Sequence, residues 1–178
     1  MSTIQLKDKR FAKYIDSDRI LSAVDALGRK MSYDYNGRIP LFLVVLNGSF
    51  MFASDLMKTF VGDCEISFIR LSSYQGTKST EEVKTVLGLN ENLKDRDIII
   101  LEDIIDSGIT INHLIKDLAT YQPASLKVAT FLLKPDALRT EIKPDYVGME
   151  IPNDFIVGYG LDYNGFGRNL PDIYKIVE

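Results

Sequence analysis

Apolar residues along this chain fall into two kinds of block, and the two kinds alternate. Ile20, Leu21, Val24, Leu27 and Met31 recur at helical spacing behind Ser17 or Asp18, either of which suits a helix cap. Asn36-Gly37 then marks a turn. Leu41-Phe42-Leu43-Val44-Val45-Leu46 is a continuous apolar run, short enough for a strand and bounded by turn residues, as in a strand buried on both faces. Asn47-Gly48-Ser49 leads into a second helical pattern with Phe50, Phe52, Ala53, Leu56, Met57 and Phe60. Ile66, Phe68 and Ile69 predict another strand, and Val86–Leu89 resumes strand character before the acidic run Glu91–Asp97. Ile98–Leu101 is a third buried run, a helix carrying Ile111, Leu114, Ile115 and Leu118 follows, and Val128–Leu133 is a further strand. Strands alternating with helices predict an α/β protein with a parallel-sheet core flanked by helices.

Parallel sheets of this kind bind ligands beyond the carboxyl ends of their strands. Asn47-Gly48, Glu102-Asp103 and Lys134 all fall at predicted strand ends, so they are expected to converge on one crevice. The stretch Ser72–Glu82 has almost no apolar content, and a long polar loop in a compact domain predicts a lid. The segment after Pro144 is rich in Gly, Pro and aromatic residues. One domain over residues 1–178 is expected, with a core of roughly 1–143 and a small hood of roughly 144–178 over the crevice.

Composition narrows the chemistry. The 178 residues carry a formal net charge of −4, which disfavours non-specific nucleic-acid binding because that needs a basic surface. One cysteine, Cys64, excludes an internal disulfide and a cysteine-based zinc site. One histidine, His113, leaves neither a serine triad nor a histidine metal site. No apolar run is long enough to span a bilayer and the first residues lack a signal pattern, so a cytoplasmic protein is expected, with no membrane partner.

The most informative stretch is Ile98-Ile99-Ile100-Leu101-Glu102-Asp103-Ile104-Ile105-Asp106-Ser107-Gly108-Ile109-Thr110. Two vicinal carboxylates at a strand end can accept hydrogen bonds from a ribose diol, directly or through a bound cation. Ser107, Gly108 and Thr110 then supply small side chains, hydroxyls and open N–H groups at a helix start, which is how backbone and dipole hold a phosphate. Asp106 sits close to that loop, where a carboxylate makes sense if it handles a proton or orients a positive group. Taken alone, Asp106 is as well explained as a helix cap.

The Glu102-Asp103-Ile104-Ile105-Asp106-Ser107-Gly108 core resembles the phosphoribosyl-pyrophosphate motif of the type I phosphoribosyltransferases, in particular their hypoxanthine-guanine branch. Leu46-Asn47-Gly48-Ser49-Phe50 resembles that family's pyrophosphate loop, and Arg70-Leu71-Ser72-Ser73-Tyr74 the start of its mobile catalytic loop. Lys134, Phe155-Ile156-Val157-Gly158-Tyr159, Leu161-Asp162-Tyr163-Asn164 and Arg168 resemble its purine and pyrophosphate elements.

The resemblance implies transfer of a 5-phosphoribosyl group from phosphoribosyl pyrophosphate to a 6-oxopurine, hypoxanthine and guanine, giving IMP or GMP and pyrophosphate. It implies that Glu102 and Asp103 hold the ribose hydroxyls, that Asp106, Ser107, Gly108, Ile109 and Thr110 wrap the 5′-phosphate, and that Asp106 exchanges a proton with the purine. It implies pyrophosphate contacts from Asn47, Gly48, Ser73, Tyr74 and Arg168, and purine contacts from Lys134, Phe155, Ile156 and Asp162. It implies Mg²⁺ near Glu102, Asp103 and Asp162, and a homodimer or homotetramer. Two other readings remain open at this level: a sibling that prefers xanthine, and a non-catalytic regulator that senses phosphoribosyl pyrophosphate on the same fold.

Overall fold

The computed structural model describes residues 2–73, 83–87 and 91–177, without the side chains of residues 72, 73 and 83–87. Tyr74, most of the polar stretch read as a lid, and residues 88–90 lie outside the described residues.

The core is a six-stranded sheet. In chain order it comprises β3 (Leu41–Leu46), β4 (Glu65–Ser73), β5 (Val83–Leu87), β6 (Asp97–Ile105), β7 (Ser125–Leu133) and β8 (Tyr146–Glu150). The spatial order is β5-β4-β3-β6-β7-β8. Every pairing is parallel except the β4–β5 hairpin at one edge. A parallel sheet buries both faces, so its central strand needs apolar residues at consecutive positions. Leu41 through Val45 of β3 are all buried.

Helices α1 (Ser17–Asp34) and α2 (Phe50–Thr59) cover one face, where Ile20, Val24, Leu27, Met31, Phe52 and Leu56 pack on Phe42, Val44, Ile99 and Leu101. Helix α3 (Ile109–Ala119) covers the other, packing Ile111, Leu114 and Leu118 on Leu41, Leu43, Ile98 and Ile100. Each such side chain contributes about 1.5–3 kcal/mol on burial. Helix α1 starts one residue earlier than its pattern suggests. Asp16, not Ser17 or Asp18, is the cap, in extended backbone with its carboxylate accepting the Arg19 N–H at 2.9 Å. The Ser17 N–H donates instead to Asp172 at 2.8 Å, a partner 155 residues away.

A second, four-stranded antiparallel sheet has the order β1-β2-β10-β9, from β1 (Thr3–Leu6), β2 (Lys9–Ile15), β9 (Ile156–Val157) and β10 (Ile173–Ile176). This hood differs from the expected division at residue 143 in two ways. It takes two strands from the N-terminal residues, and Tyr146–Glu150 joins the core sheet instead. The physical reason is that Phe11 needs Val157 and Tyr174 to bury it. Among the described residues no helix is long and apolar enough to cross a membrane.

The site is set by where β6 leaves β3. Ile98–Leu101 pair with Leu41–Val44, but from Glu102 onward β6 follows β7 alone. The end of β3 stays paired with β4 through Leu46 and Arg70. The sheet therefore parts at its carboxyl edge between β3 and β6, the point where the strand order reverses and ligands characteristically bind.

Candidate functional site

Strand β6 runs four residues beyond its apolar run, so Glu102 and Asp103 are part of the strand rather than its exposed end. Both carboxyl groups are desolvated. Burial raises Glu102 well above the ordinary carboxylate range, reinforced by Asp103 beside it. Burial likewise pushes Asp103 up to about 6, against the pull of its hydrogen bond from the Ile104 N–H at 2.8 Å and of nearby Arg168.

The loop after β3 lies directly against this pair. The Leu46–Asn47 peptide is cis. A Cβ placed on Gly48 would fall 1.5 Å from Asp103 Oδ2, so only glycine lets the loop approach the carboxylate. Ser49 is fully buried at the start of α2 and donates through its hydroxyl to Glu102 at 3.3 Å. On the far side of Gly48, the Gly160 backbone packs so closely on the Gly48 carbonyl that a side chain there would overlap it. Arg168 donates to the Gly160 carbonyl at 2.7 Å and pairs with Asp162 at 2.6 Å, while Asp162 also accepts the Gly165 N–H at 2.7 Å. Glu102, Asp103, Gly48, Asp162 and Arg168 thus belong to one contiguous network.

Downstream, Asp106 is exposed and accepts the Ser107 N–H. Gly108 has φ +76 and opens α3 with no side-chain cap. The first turn of α3 contains no acid, so the N–H groups at this helix start make a concavity of the kind that can hold an anion. Glu102, Ile104, Asp106, Gly108 and Thr110 line a cleft of about 330 Å³ of empty volume here. Ile109 carries the same turn, with its N–H on Ser107 Oγ at 3.4 Å.

Lys134 follows β7, and its N–H bonds the Ile105 carbonyl at 2.9 Å, next to Asp106. Phe155 and Ile156 belong to the hood. Ile156 is buried in β9, whereas Phe155 leaves 46% of its surface open and rests against Phe11 and Tyr163 at ring distances of 6.3 and 5.9 Å. Asn153, two residues before Phe155, lines the same cleft as Asp106 and Ser107. Asn47 is exposed at the loop. The Ser73 side chain and Tyr74 lie outside the described residues. His113 is exposed on α3, away from the chemistry assigned above.

Among the described residues no group of three or more His, Cys, Asp or Glu is arranged to hold a metal. Asp162 is committed to Arg168 rather than to Glu102 and Asp103. The adjacent pair still fits a hard cation, since Mg²⁺ typically takes one or two carboxylates and completes its shell with water and substrate phosphate. Two residues that the sequence motifs contain but give no role of their own contribute here. Ser49 ties the β3 loop to Glu102, and Tyr159, buried with φ +48, donates its hydroxyl to Asp55 at 2.8 Å and anchors the Gly158–Gly160 turn on α2. Neither role has a local signal, because both depend on tertiary partners.

Residues 13–164 match the phosphoribosyl transferase domain family. The chain is 44% identical over 166 residues to hypoxanthine-guanine phosphoribosyltransferase of Lactococcus lactis, covering 92% of this chain and 90% of that protein. It is 45% identical over 161 residues to the bifunctional protein TilS/HprT of Listeria monocytogenes, covering 89% of this chain and 25% of that one. A crystal structure of a hypoxanthine-guanine phosphoribosyltransferase from Bacillus anthracis, with HEPES in its active site, superposes with a TM-score of 0.89 at 36% identity, covering 93% of this chain and 98% of that one. The sheet parted at its carboxyl edge and the desolvated carboxylate pair beside the Gly48 loop accord with this likeness, and the chain belongs to the phosphoribosyl transferase domain family.

Proposed function

We propose that this enzyme transfers the 5-phosphoribosyl group from phosphoribosyl pyrophosphate to hypoxanthine, and to guanine, releasing pyrophosphate. One juxtaposition carries the reading: the β3 loop meets the Glu102–Asp103 pair at Gly48, immediately upstream of the concavity at Gly108. The concavity suits a 5′-phosphate, the carboxylate pair suits the ribose diol, and the Gly48 loop with Arg168 suits the pyrophosphate between them.

Asp106, exposed in the cleft, is within the region where a purine would meet the ribose, and it exchanges a proton with the ring nitrogen. Lys134 donates to the 6-oxo group, and the open face of Phe155 stacks on the ring, with the Ile156 and Asp162 backbones reading its edge. Glu102 and Asp103 would hold Mg²⁺, which when bound would supply positive charge to the leaving pyrophosphate. Arg168, oriented by Asp162 and Gly160, adds a second positive group to that leaving group. The activity belongs to the cytoplasm.

A homodimer or homotetramer is part of the same proposal. Ile66 and Phe68 support it: they stand beside Phe42 and Val44 on the α1–α2 face of the sheet, yet each is 43% exposed, an uncovered apolar strip suited to a second copy of the chain. Sedimentation velocity tests it, and a monomer at all concentrations refutes it.

The test of activity is an absorbance assay with hypoxanthine, phosphoribosyl pyrophosphate and Mg²⁺. Nucleotide formation that stops when any one is omitted is the expected result. No turnover with hypoxanthine or guanine refutes the assignment.

A further inference from the structure

A phosphate monoester brings close to two negative charges at neutral pH. The loop proposed to receive it, Asp106–Thr110, contains one acid and no base, and Glu102 and Asp103 stand just upstream. Helix dipole and N–H groups offset only part of that charge. A cation from outside the loop would offset the remainder.

Two clefts meet at Asp106. One is lined by Glu102, Asp106, Gly108 and Thr110, the other by Asp106, Ser107, Asp136, Arg139 and Asn153. Among the described residues lining the two, Arg139 is the one cation.

Its backbone is fixed against the loop. The Arg139 N–H donates to the Ser107 carbonyl at 2.9 Å. Gly108 rests on the residues that flank it in sequence: a Cβ there would overlap Thr140 and lie 2.9 Å from Ile142 and 3.4 Å from Leu138. The short 3₁₀ turn Pro135–Ala137 after β7 delivers the segment to this place. Arg139 itself is exposed, and its guanidinium has no ion-pair partner among the described residues. By contrast Arg29, Arg38, Arg96 and Arg168 each pair with an acid.

We propose that Arg139 binds the 5′-phosphate of the donor and of the nucleotide product, supplying from the turn after β7 the positive charge that the Asp106–Thr110 loop lacks. The inference rests on the transferase reading above and adds a binding residue to it. A guanidinium beside a phosphate can donate two parallel hydrogen bonds, which Lys cannot.

The experiment is steady-state kinetics of wild type, Arg139→Ala and Arg139→Lys, with isothermal titration of ribose 5-phosphate. Arg139→Ala is expected to raise the donor KM by about tenfold, the worth of one charge-assisted hydrogen bond, with kcat and the hypoxanthine KM within about twofold of wild type. Ribose 5-phosphate affinity falls in parallel, and Arg139→Lys recovers part of the loss. The wild-type donor KM also climbs more steeply with salt than that of Arg139→Ala. An unchanged donor KM overturns the proposal, and so does an equal rise for both substrates, which would report a general distortion. Wild-type turnover separates the two layers. Without it the transferase reading falls; with it, an indifferent Arg139→Ala removes only the arginine's role.

Discussion

The substitution Gly48→Ala tests how the two halves of the site depend on each other. The new Cβ would lie 1.5 Å from Asp103 Oδ2 and 2.5 Å from its Cγ. Ordinary non-bonded contact requires the carboxylate oxygen to retreat by about 2 Å. Rotation alone gives little relief, because the other oxygen lies 3.1 Å from the same Cβ and holds the Ile104 N–H. A misplacement of this size in a reacting array costs roughly 100-fold in rate. Breaking the Ile104 bond inside the protein costs about 1–3 kcal/mol. In a chain of this length each kcal/mol lowers Tm by about 2–4 °C. The expected outcome is therefore a kcat/KM lowered about 100-fold by the absorbance assay, with Tm lowered by several degrees. Wild-type kcat/KM in a folded Gly48→Ala enzyme would refute the claim that the Gly48–Asp103 approach sets the site.

Asp106→Asn should lower kcat by about 10²–10⁴-fold, the usual worth of a proton-transferring group, while the Kd of phosphoribosyl pyrophosphate by titration changes little. Wild-type turnover would exclude the proton role. Lys134→Ala should raise the KM for hypoxanthine far more than that for the donor, and equal rises count against a base-reading lysine. Tyr159→Phe removes the hydroxyl bond to Asp55 while keeping the ring on Phe131, so thermal melts should drop by about 2–4 °C, corresponding to about 1 kcal/mol. A melt equal to wild type removes the anchor. Asp172 is buried and held below the ordinary carboxylate range, first by Lys13 and also by the Ser17 N–H. Its stabilisation is thus present above the unfolded-state value of about 4 and is lost as pH falls through the lower folded value. Melts of Asp172→Asn between neutrality and strong acid should lose less Tm than wild type, and a parallel decline in both would refute the linkage.

What the sequence discloses is what periodicity encodes. Leu41–Leu46 shows itself as a strand because both its faces are buried, and α1 because only one of its faces is. β1 and β2 have no comparable signal. Lys9–Ile15 fully buries only Phe11 and Ile15 among charged neighbours, and the residues that bury Phe11 lie more than 140 residues onward. In β4 the apolar residues suggest a strand but not its facing: Ser67 is buried against Glu91 while Ile66 and Phe68 are exposed. The acidic and loop residues are legible because phosphate and diol binding demand particular side chains at close spacing. Ser49, Tyr159 and Arg139 are not, since an ordinary serine, tyrosine or arginine acquires its role only from what the fold sets beside it.

The hood sheet joins residues 3–15 to residues 173–176, with Ile15 opposite Ile173 and the Ser17 N–H on Asp172. Such distant pairing carries a large loop-closure cost and comes late in folding. On a ribosome, β3, β6 and the phosphate cradle emerge well before β10 can dock. The nascent chain therefore exposes the segments proposed to hold sugar and phosphate first, and completes the proposed wall for the base only once β10 has emerged.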